Sequence, residues 1–307
     1  MVSNMPDRFI PRALLGVLVM GLTGVFPATG QADESLFGYV KGAEPLPKGA
    51  LELDETLTLR ADKGTGEYQA LDSKTELEYG FTDRLAASVY LNAMSIDTSG
   101  LVIDGYLPKD EQFGLRPSGI EGTMKYNFLS PAKDAIGLSQ YFALSYSWID
   151  PHSGQEKHKI TMELKLLAQK FFLQDQLVTV ANVGMEATHA ERGAIDNLPP
   201  GFDWPTEPEM EIGLNFGLGV SYRFAPNWFA GVEMLYEDEH ETEVGLERWT
   251  LFAGPSVHYA ARKWWATLTW FPQISGGGEE YPNQPYEHLH LIEKTKQEVR
   301  LRFAYNF

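Results

Sequence analysis

No cysteine occurs among the 307 residues. That excludes a disulfide framework, a thiolate metal site and a cysteine nucleophile together. Long apolar runs are also missing beyond Phe26, and no later stretch approaches the ~18 consecutive apolar residues that a membrane-crossing helix needs. Positive charge is scarce: 25 Lys+Arg stand against 42 Asp+Glu, a formal net charge of −17. With no basic patch to neutralise phosphates, nucleic acid is excluded as a partner. The mean hydropathy of −0.25 would suit a water-soluble protein. It suits equally a chain in which only alternate residues meet an apolar solvent.

What is present begins at the N-terminus. Arg8 and Arg12 precede an apolar stretch from Ala13 to Phe26, and "PATGQA" follows with Gly30 and Ala32 at the −3 and −1 positions of a cleavage site. This is the pattern of a secretory signal peptide, so residues 1–32 are expected to be removed.

The rest is dominated by a period of two. In "EIGLNFGLGVSYRF" (211–224), Ile212, Leu214, Phe216, Leu218, Val220, Tyr222 and Phe224 form one set, and Glu211, Gly213, Asn215, Gly217, Gly219, Ser221 and Arg223 the other. Such alternation gives a strand with one apolar face and one polar or small face. The pattern recurs near 51–60, 74–80, 84–93, 119–128, 137–149, 158–168, 176–187, 228–236, 248–259, 264–274 and 297–307, which predicts about 12 strands. From the second strand onward the connections alternate. Short ones at 80–84, 129–135, 169–176, 225–228 and 260–263 are interleaved with longer ones at 97–117, 150–157, 187–209, 237–245 and 275–288. A meander with its longer loops at one end is the signature of an all-β, up-and-down antiparallel transmembrane β-barrel. It predicts an outer-membrane barrel over 49–307 with both termini in the periplasm. Trp148, Trp228, Trp249, Trp264, Trp270, Tyr79, Tyr126, Tyr222 and Tyr236 fall on the apolar register near strand ends, as interfacial girdles require. Pro255 and Pro272 disturb the pattern, and each is expected at a rim or a bulge. Residues 33–48 are too short for a domain, and Pro45 and Pro47 disfavour a helix. A short periplasmic segment is expected there, with a small plug in the lumen as the alternative.

The chain ends "EVRLRFAYNF", with Val299, Leu301, Phe303, Tyr305 and a terminal Phe307 in alternation. This resembles the closing strand of porin-like Gram-negative outer-membrane β-barrel proteins, and the "EYGFTDRL" hairpin (78–85) is similar to their periplasmic turns. Arg302 departs from the glycine usual in that closing signal. The resemblance implies that Phe303, Tyr305 and Phe307 serve insertion by the barrel-assembly machinery. It also implies outer-membrane lipid and lipopolysaccharide as surroundings.

Charged residues cannot face lipid cheaply, at about 2–4 kcal/mol for a mid-bilayer Lys or Arg. The inward set therefore lines the lumen: Glu52, Asp54, Lys74, Glu76, Glu78, Glu121, Lys125, Glu163, Lys165, Glu211, Arg223, Glu233, Arg300 and Arg302. Acids lead, and two outcomes stay open: a wet, mildly cation-preferring channel, or cross-lumen pairs that close it. Twelve strands lie between filled and open barrels. The expected function is a porin-like channel for passive passage of small solutes or ions, without a cofactor. The alternatives are a closed structural or adhesive barrel acting through its loops, and a lipid-modifying hydrolase. For the last, His152 adjoins Ser153, but the histidine–x–serine–asparagine pattern of the twelve-stranded outer-membrane phospholipases is missing. His288 and His290, with Glu287 or Glu293, are metal-ligating residue types at strand spacing, and rim residues are the simpler reading. The acidic stretch 236–243 reads as a solvated loop, or as a loose site for Ca²⁺ or Mg²⁺ bridging to lipopolysaccharide phosphate.

Overall fold

The computed structural model describes residues 35–102, 110–194, 198, 200, 204, 207–241, 245–279 and 288–307. The expected signal peptide and Glu287 lie outside them. Within them the alternating segments form β1 (Leu51–Ala61), β2 (Thr65–Thr82), β3 (Leu85–Val102), β4 (Gln112–Leu129), β5 (Gly137–Ile149) and β6 (Glu156–Phe172). These are followed by β7 (Leu177–Arg192), β8 (Glu209–Ala225), β9 (Trp228–Glu241), β10 (Gly245–Ala260), β11 (Trp264–Gly278) and β12 (Gln297–Asn306). Each strand pairs antiparallel with its sequence neighbours, and β12 pairs with β1 from Glu52↔Asn306 to Ala61↔Gln297. The terminal Phe307 N–H donates to the Leu51 carbonyl at 3.1 Å, completing the seam. The circuit is closed, so no strand edge is left for lipid to meet.

Two solvents, one on each side of this wall, explain the alternation. Along β8 the even positions from Ile212 to Phe224 are exposed on the outer surface, while Glu211, Asn215 and Ser221 are buried inward. Phe303, Tyr305 and Phe307 also face outward. All of the girdle aromatics lie on the outward register, although Trp270 stands mid-strand rather than at an end. The periplasmic girdle is dense: Tyr79 meets Phe81, Tyr126 meets Phe128, and Trp264 meets Phe303.

The strands outrun the membrane. An 18-residue strand such as β2, β3 or β4 is about 59 Å long at ~3.3 Å per residue, and about 45 Å high at a tilt near 40°. The apolar band is only ~25 Å tall. The excess lies at the end that carries the longer connections, the one expected to be extracellular, so much of 61–73, 97–117 and 237–245, expected as loops, is strand. Above the bilayer the outer face meets water while the inner face carries apolar side chains and ion pairs together, so the period of two that marks a strand disappears there.

Both prolines occupy one irregularity. The β10–β11 ladder is interrupted between Phe252↔Gln273 and Ser256↔Thr269, while 253–255 stay paired with β9 and 270–272 with β12. The expected bulge does not fall on the prolines: the register is the same on both sides of the gap, and the ladder's register shift lies beside it, between Leu251 and Phe252. Gly254 is required here, because a Cβ would lie 1.8 Å from the Trp270 carbonyl oxygen.

One expectation is corrected. Residues 35–48, expected as a periplasmic tail, run inside the barrel: Phe37, Val40, Ala43 and Leu46 are all buried. Their backbone polar groups find partners on the lumen wall, which holds the segment there as an internal strap.

The facing assignment has a direct consequence. Val220→Arg, near the middle of the lipid-facing column, is expected to destabilise the inserted barrel by about 2–4 kcal/mol, and Met210→Arg near its upper end by about 0–1 kcal/mol. Reversible denaturation from lipid vesicles measures both; equal costs would contradict the assignment.

Candidate functional site: a strapped lumen

The sequence-predicted lumen residues all lie on the inward register, as the pairings Glu52↔Glu78, Asp54↔Glu76, Tyr90↔Glu121, Ala143↔Glu163 and Gly219↔Glu233 fix. The wall brings many of them together. Lys74 pairs with Glu121 at 2.8 Å and Lys165 with Glu163 at 2.6 Å. Arg302 pairs with Asp54, and its guanidinium lies over the Trp265 ring. Glu52 accepts from Trp265 Nε1 at 3.0 Å, and Glu211 lies 3.4 Å from Lys159. Arg223 sits apart, beside the periplasmic turn between β8 and β9.

The strap explains most of the remaining wall residues. It is not a regular element, so its N–H and C=O groups need side-chain partners. The Glu233 carboxylate, 1% exposed, accepts the N–H groups of Gly38 at 2.8 Å, Tyr39 at 2.7 Å and Val40 at 3.1 Å, and the Thr269 hydroxyl at 2.7 Å. Charge-assisted hydrogen bonds of this kind are roughly twice as strong as neutral ones. Arg300 donates to the Gly38 carbonyl at 3.0 Å and lies over the Tyr39 ring, which itself stacks on Phe271. Asn182 grips Lys41 twice, its Oδ1 accepting from the N–H at 2.7 Å and its Nδ2 donating to the C=O at 2.8 Å. Gln169 accepts from the Ala43 N–H, Asn127 and Ser139 donate to the Ala43 carbonyl, and Lys125 donates to that of Glu44. Phe37 and Val40 fill the space left by the wall glycines: a Cβ at Gly219 would lie 2.8 Å from Phe37, and one at Gly217 would lie 3.3 Å from Val40.

The extracellular half is filled differently. Tyr68, Met94, Ile96, Leu101, Ile149, Trp204 and Ile292 form an apolar cluster drawn from β2, β3, β5 and two long connections. Charged groups surround it. Arg60 holds Asp72 through two hydrogen bonds and donates to the Pro151 carbonyl. Arg248 pairs with Glu239 and Glu293. Lys157 meets Glu209 at 2.6 Å, and Lys294 meets Glu237 at 2.7 Å.

The other candidates resolve as follows. Ser153 Oγ donates to Asp150 at 2.8 Å, while the His152 ring faces Lys63 Nζ at 2.7 Å. The serine and histidine thus engage different partners, and Asp150 organises the turn by also accepting the N–H groups of both. His288 is exposed and His290 buried, so they do not share a side. Glu239, Glu247 and Glu293 converge instead, with Arg248 bonded to two of them; a guanidinium already occupies the place a cation would take. In the acidic stretch, Glu237 and Glu239 face inward into ion pairs, and Asp238 and His240 face outward. Thr242 and Glu243 lie outside the described residues.

Sequence reading missed the strap's holders Asn182, Gln169, Asn127 and Thr269, which look like ordinary lumen positions. One signal was available. "SLFGYV" (35–40) places aromatic and aliphatic side chains in a segment that a periplasmic tail would leave in water.

Geometry and comparison agree on the class of protein. A closed antiparallel circuit of twelve strands, apolar outside and charged inside, is the fold of outer-membrane β-barrels. The chain belongs to a family of unknown function, DUF6662, whose model matches residues 29–307. No curated protein matches it in sequence. Among solved structures it is similar to the COG4313 outer membrane channel from Pseudomonas putida F1, with a TM-score of 0.57 at 14% identity, covering 86% of this chain and 98% of that one. It is also similar to the beta domain of the Bordetella autotransporter BrkA, with a TM-score of 0.54 at 11% identity, covering 85% and 100%. At these identities the likeness is one of fold.

The segment leading into β12 is expected to loosen in acid. Burial pushes the His290 imidazole down to about 4. Burial alone would raise the Glu293 carboxyl, but Arg248 outweighs it and holds the group at about 2. Both shifts carry the same sign. The contribution from His290 is complete above its unfolded value near 6.5 and is lost as pH falls toward 4; that from Glu293 is lost between about 4.5 and 2. For His290 the loss is on the order of 3 kcal/mol. Amide exchange over 288–296, corrected for intrinsic rates, is expected to accelerate at pH 4.5 relative to pH 7. In His290→Phe that pH dependence is expected to shrink. Equal protection at the two pH values in the native chain would contradict this.

Proposed function

We propose that this protein is a passive outer-membrane channel for small solutes or ions, with a mild preference for cations. In this reading the signal peptide is cleaved near Asp33, the inward charges line the path, and residues 35–48 narrow it as a tethered strap. The observation that carries the proposal is the way the strap is held. Its backbone is bound to the wall by reversible hydrogen bonds, with three consecutive N–H groups on the Glu233 carboxylate, and cleavage of the signal peptide would leave a covalent link at its downstream end alone. A segment bound in this way can leave the lumen without disturbing the ladder that holds the wall. Cation preference is supported by Glu52 opposite Glu78 and Asp54 opposite Glu76 on adjoining strands, a density of carboxylates that local sheet stability disfavours.

A closed structural barrel is the second reading. The ion pairs of the lumen and the apolar cluster beneath the extracellular loops favour it.

Planar-bilayer recordings of the mature chain separate the two. Glu233→Ala and a chain lacking 35–48 are expected to pass larger or more frequent current steps than the native barrel, with a cation-selective reversal potential under a salt gradient. Glu52→Gln with Glu78→Gln is expected to move that potential toward zero. Silence from both opened variants, once shown to be folded and inserted, would leave the closed barrel.

A further inference from the structure

The barrel wall parts on its outer face. β4 and β5 remain paired from Leu129↔Leu138 up to Gly119↔Ser147. Above that level β4 continues with β3 alone, to Gln112, and β5 with β6 alone, to Ile149↔Glu156. Both continuing ladders are irregular there, between Met94 and Ile96 and between Ser147 and Ile149. The result is a cleft of about 490 Å³, with Arg116 on one side and Tyr146, Trp148, Glu156 and His158 on the other. Trp148 Nε1 donates to the Pro117 carbonyl at 3.0 Å and ties the two sides together. Gly154 also lines it with φ 75°, and a Cβ there would lie 3.0 Å from Ile96 and 3.1 Å from Phe113.

The cleft sits at a particular height. Tyr146 stands nine residues above Gly137, the periplasmic start of β5. At about 2.5 Å of height per residue that is roughly 23 Å, against an apolar band of ~25 Å. Ile120 and Ile160, which flank Tyr146 on the neighbouring strands, and Leu144 and Met162 below them are exposed on the lipid side. The cleft thus opens where the headgroups of the outer leaflet lie.

Its side chains are arranged in advance. The His158 ring stacks against Tyr146, with Nδ1 at 2.7 Å from the Tyr146 hydroxyl and Nε2 at 3.0 Å from Glu156 Oε1. With the carboxylate ionised, Nε2–H donates to Glu156 and the tyrosine hydroxyl donates to Nδ1. That chain fixes the Tyr146 ring beside Trp148, 6.0 Å away. Arg116 lies 3.5 Å over the Phe113 ring, and no ion pair engages it among the described residues. A guanidinium fork matches a phosphate, aromatic faces accept the C–H face of a sugar ring, and Glu156 accepts a sugar hydroxyl.

We propose that this cleft binds the phosphorylated sugar headgroup of an outer-leaflet glycolipid, whose acyl chains lie along the apolar column beneath. Arg116 takes the phosphate, and Tyr146 with Trp148 takes the sugar face. This site requires only the inserted barrel and is independent of conduction.

The test refolds the mature chain with vesicles of phosphatidylethanolamine containing bisphosphorylated lipid A, then reads retained lipid by native mass spectrometry after detergent extraction. The native chain is expected to retain lipid A in preference to its monophosphorylated form and to phosphatidylglycerol. Arg116→Ala and Trp148→Ala are each expected to lower retention by about tenfold. Arg262→Ala, on the periplasmic turn, is expected to leave it unchanged, with folding of every variant checked by heat-modifiable mobility. Retention unaffected by both cleft substitutions, or equal retention of phosphatidylglycerol, would overturn the proposal. Complete competition by millimolar glucosamine 6-phosphate would also overturn it, by showing a site for a soluble phosphosugar.

Discussion

Everything in this molecule follows from the cost of leaving a peptide N–H or C=O without a partner. In hydrocarbon that cost is several kcal/mol per group, so the wall must be a closed ladder, and β12 must return to β1. A closed wall with lipid outside and polar groups inside imposes a side-chain period of two. The same requirement then recurs inside the lumen. The strap brings in backbone groups that no ladder satisfies, and the wall answers them one at a time with Glu233, Asn182, Gln169, Asn127 and Arg300. These contacts make the lumen specific as well as polar.

The two ends of the lumen are lined by different physics. On the periplasmic side, polar side chains hold an irregular segment, and Phe37 and Val40 occupy the space over wall glycines. On the extracellular side, an apolar cluster is ringed by buried ion pairs such as Arg60–Asp72 and Arg248–Glu239–Glu293. Removing one member of such a pair strands a buried charge, so this half is built for rigidity. The strap is held to the wall by side-chain hydrogen bonds and not by a ladder, which makes it the element best suited to move.

The strands were legible because lipid forces their pattern. Ile212 to Phe224 announce the outer face without any tertiary information, and Pro255 with Pro272 announce the interruption of the β10–β11 ladder. The upper ends of the strands were not legible. Residues such as 65–73 and 237–241 meet water outside and a mixture of apolar side chains and ion pairs inside, so no alternation marks them. The strap was not legible either, because its hold depends on wall residues more than a hundred positions away, such as Glu233 for Gly38 and Asn182 for Lys41. A glutamate on an inward register looks the same whether it faces water or accepts three N–H groups. Likewise, the Ser153–His152 neighbourhood suggested chemistry that side-chain direction does not support.

The central claim is that residues 35–48 lie within the barrel, and the absence of native cysteine makes it directly testable. A Cβ built at Gly217 lies 3.3 Å from a Val40 methyl, close enough for an engineered disulfide. In the folded, membrane-inserted double variant Val40→Cys with Gly217→Cys, mild oxidation is expected to give a near-complete intramolecular crosslink, read as a mass loss and a mobility shift reversed by reductant. Free thiols that persist on protein shown to be folded, and that label readily with a membrane-impermeant maleimide, would place the segment outside the lumen and contradict the account.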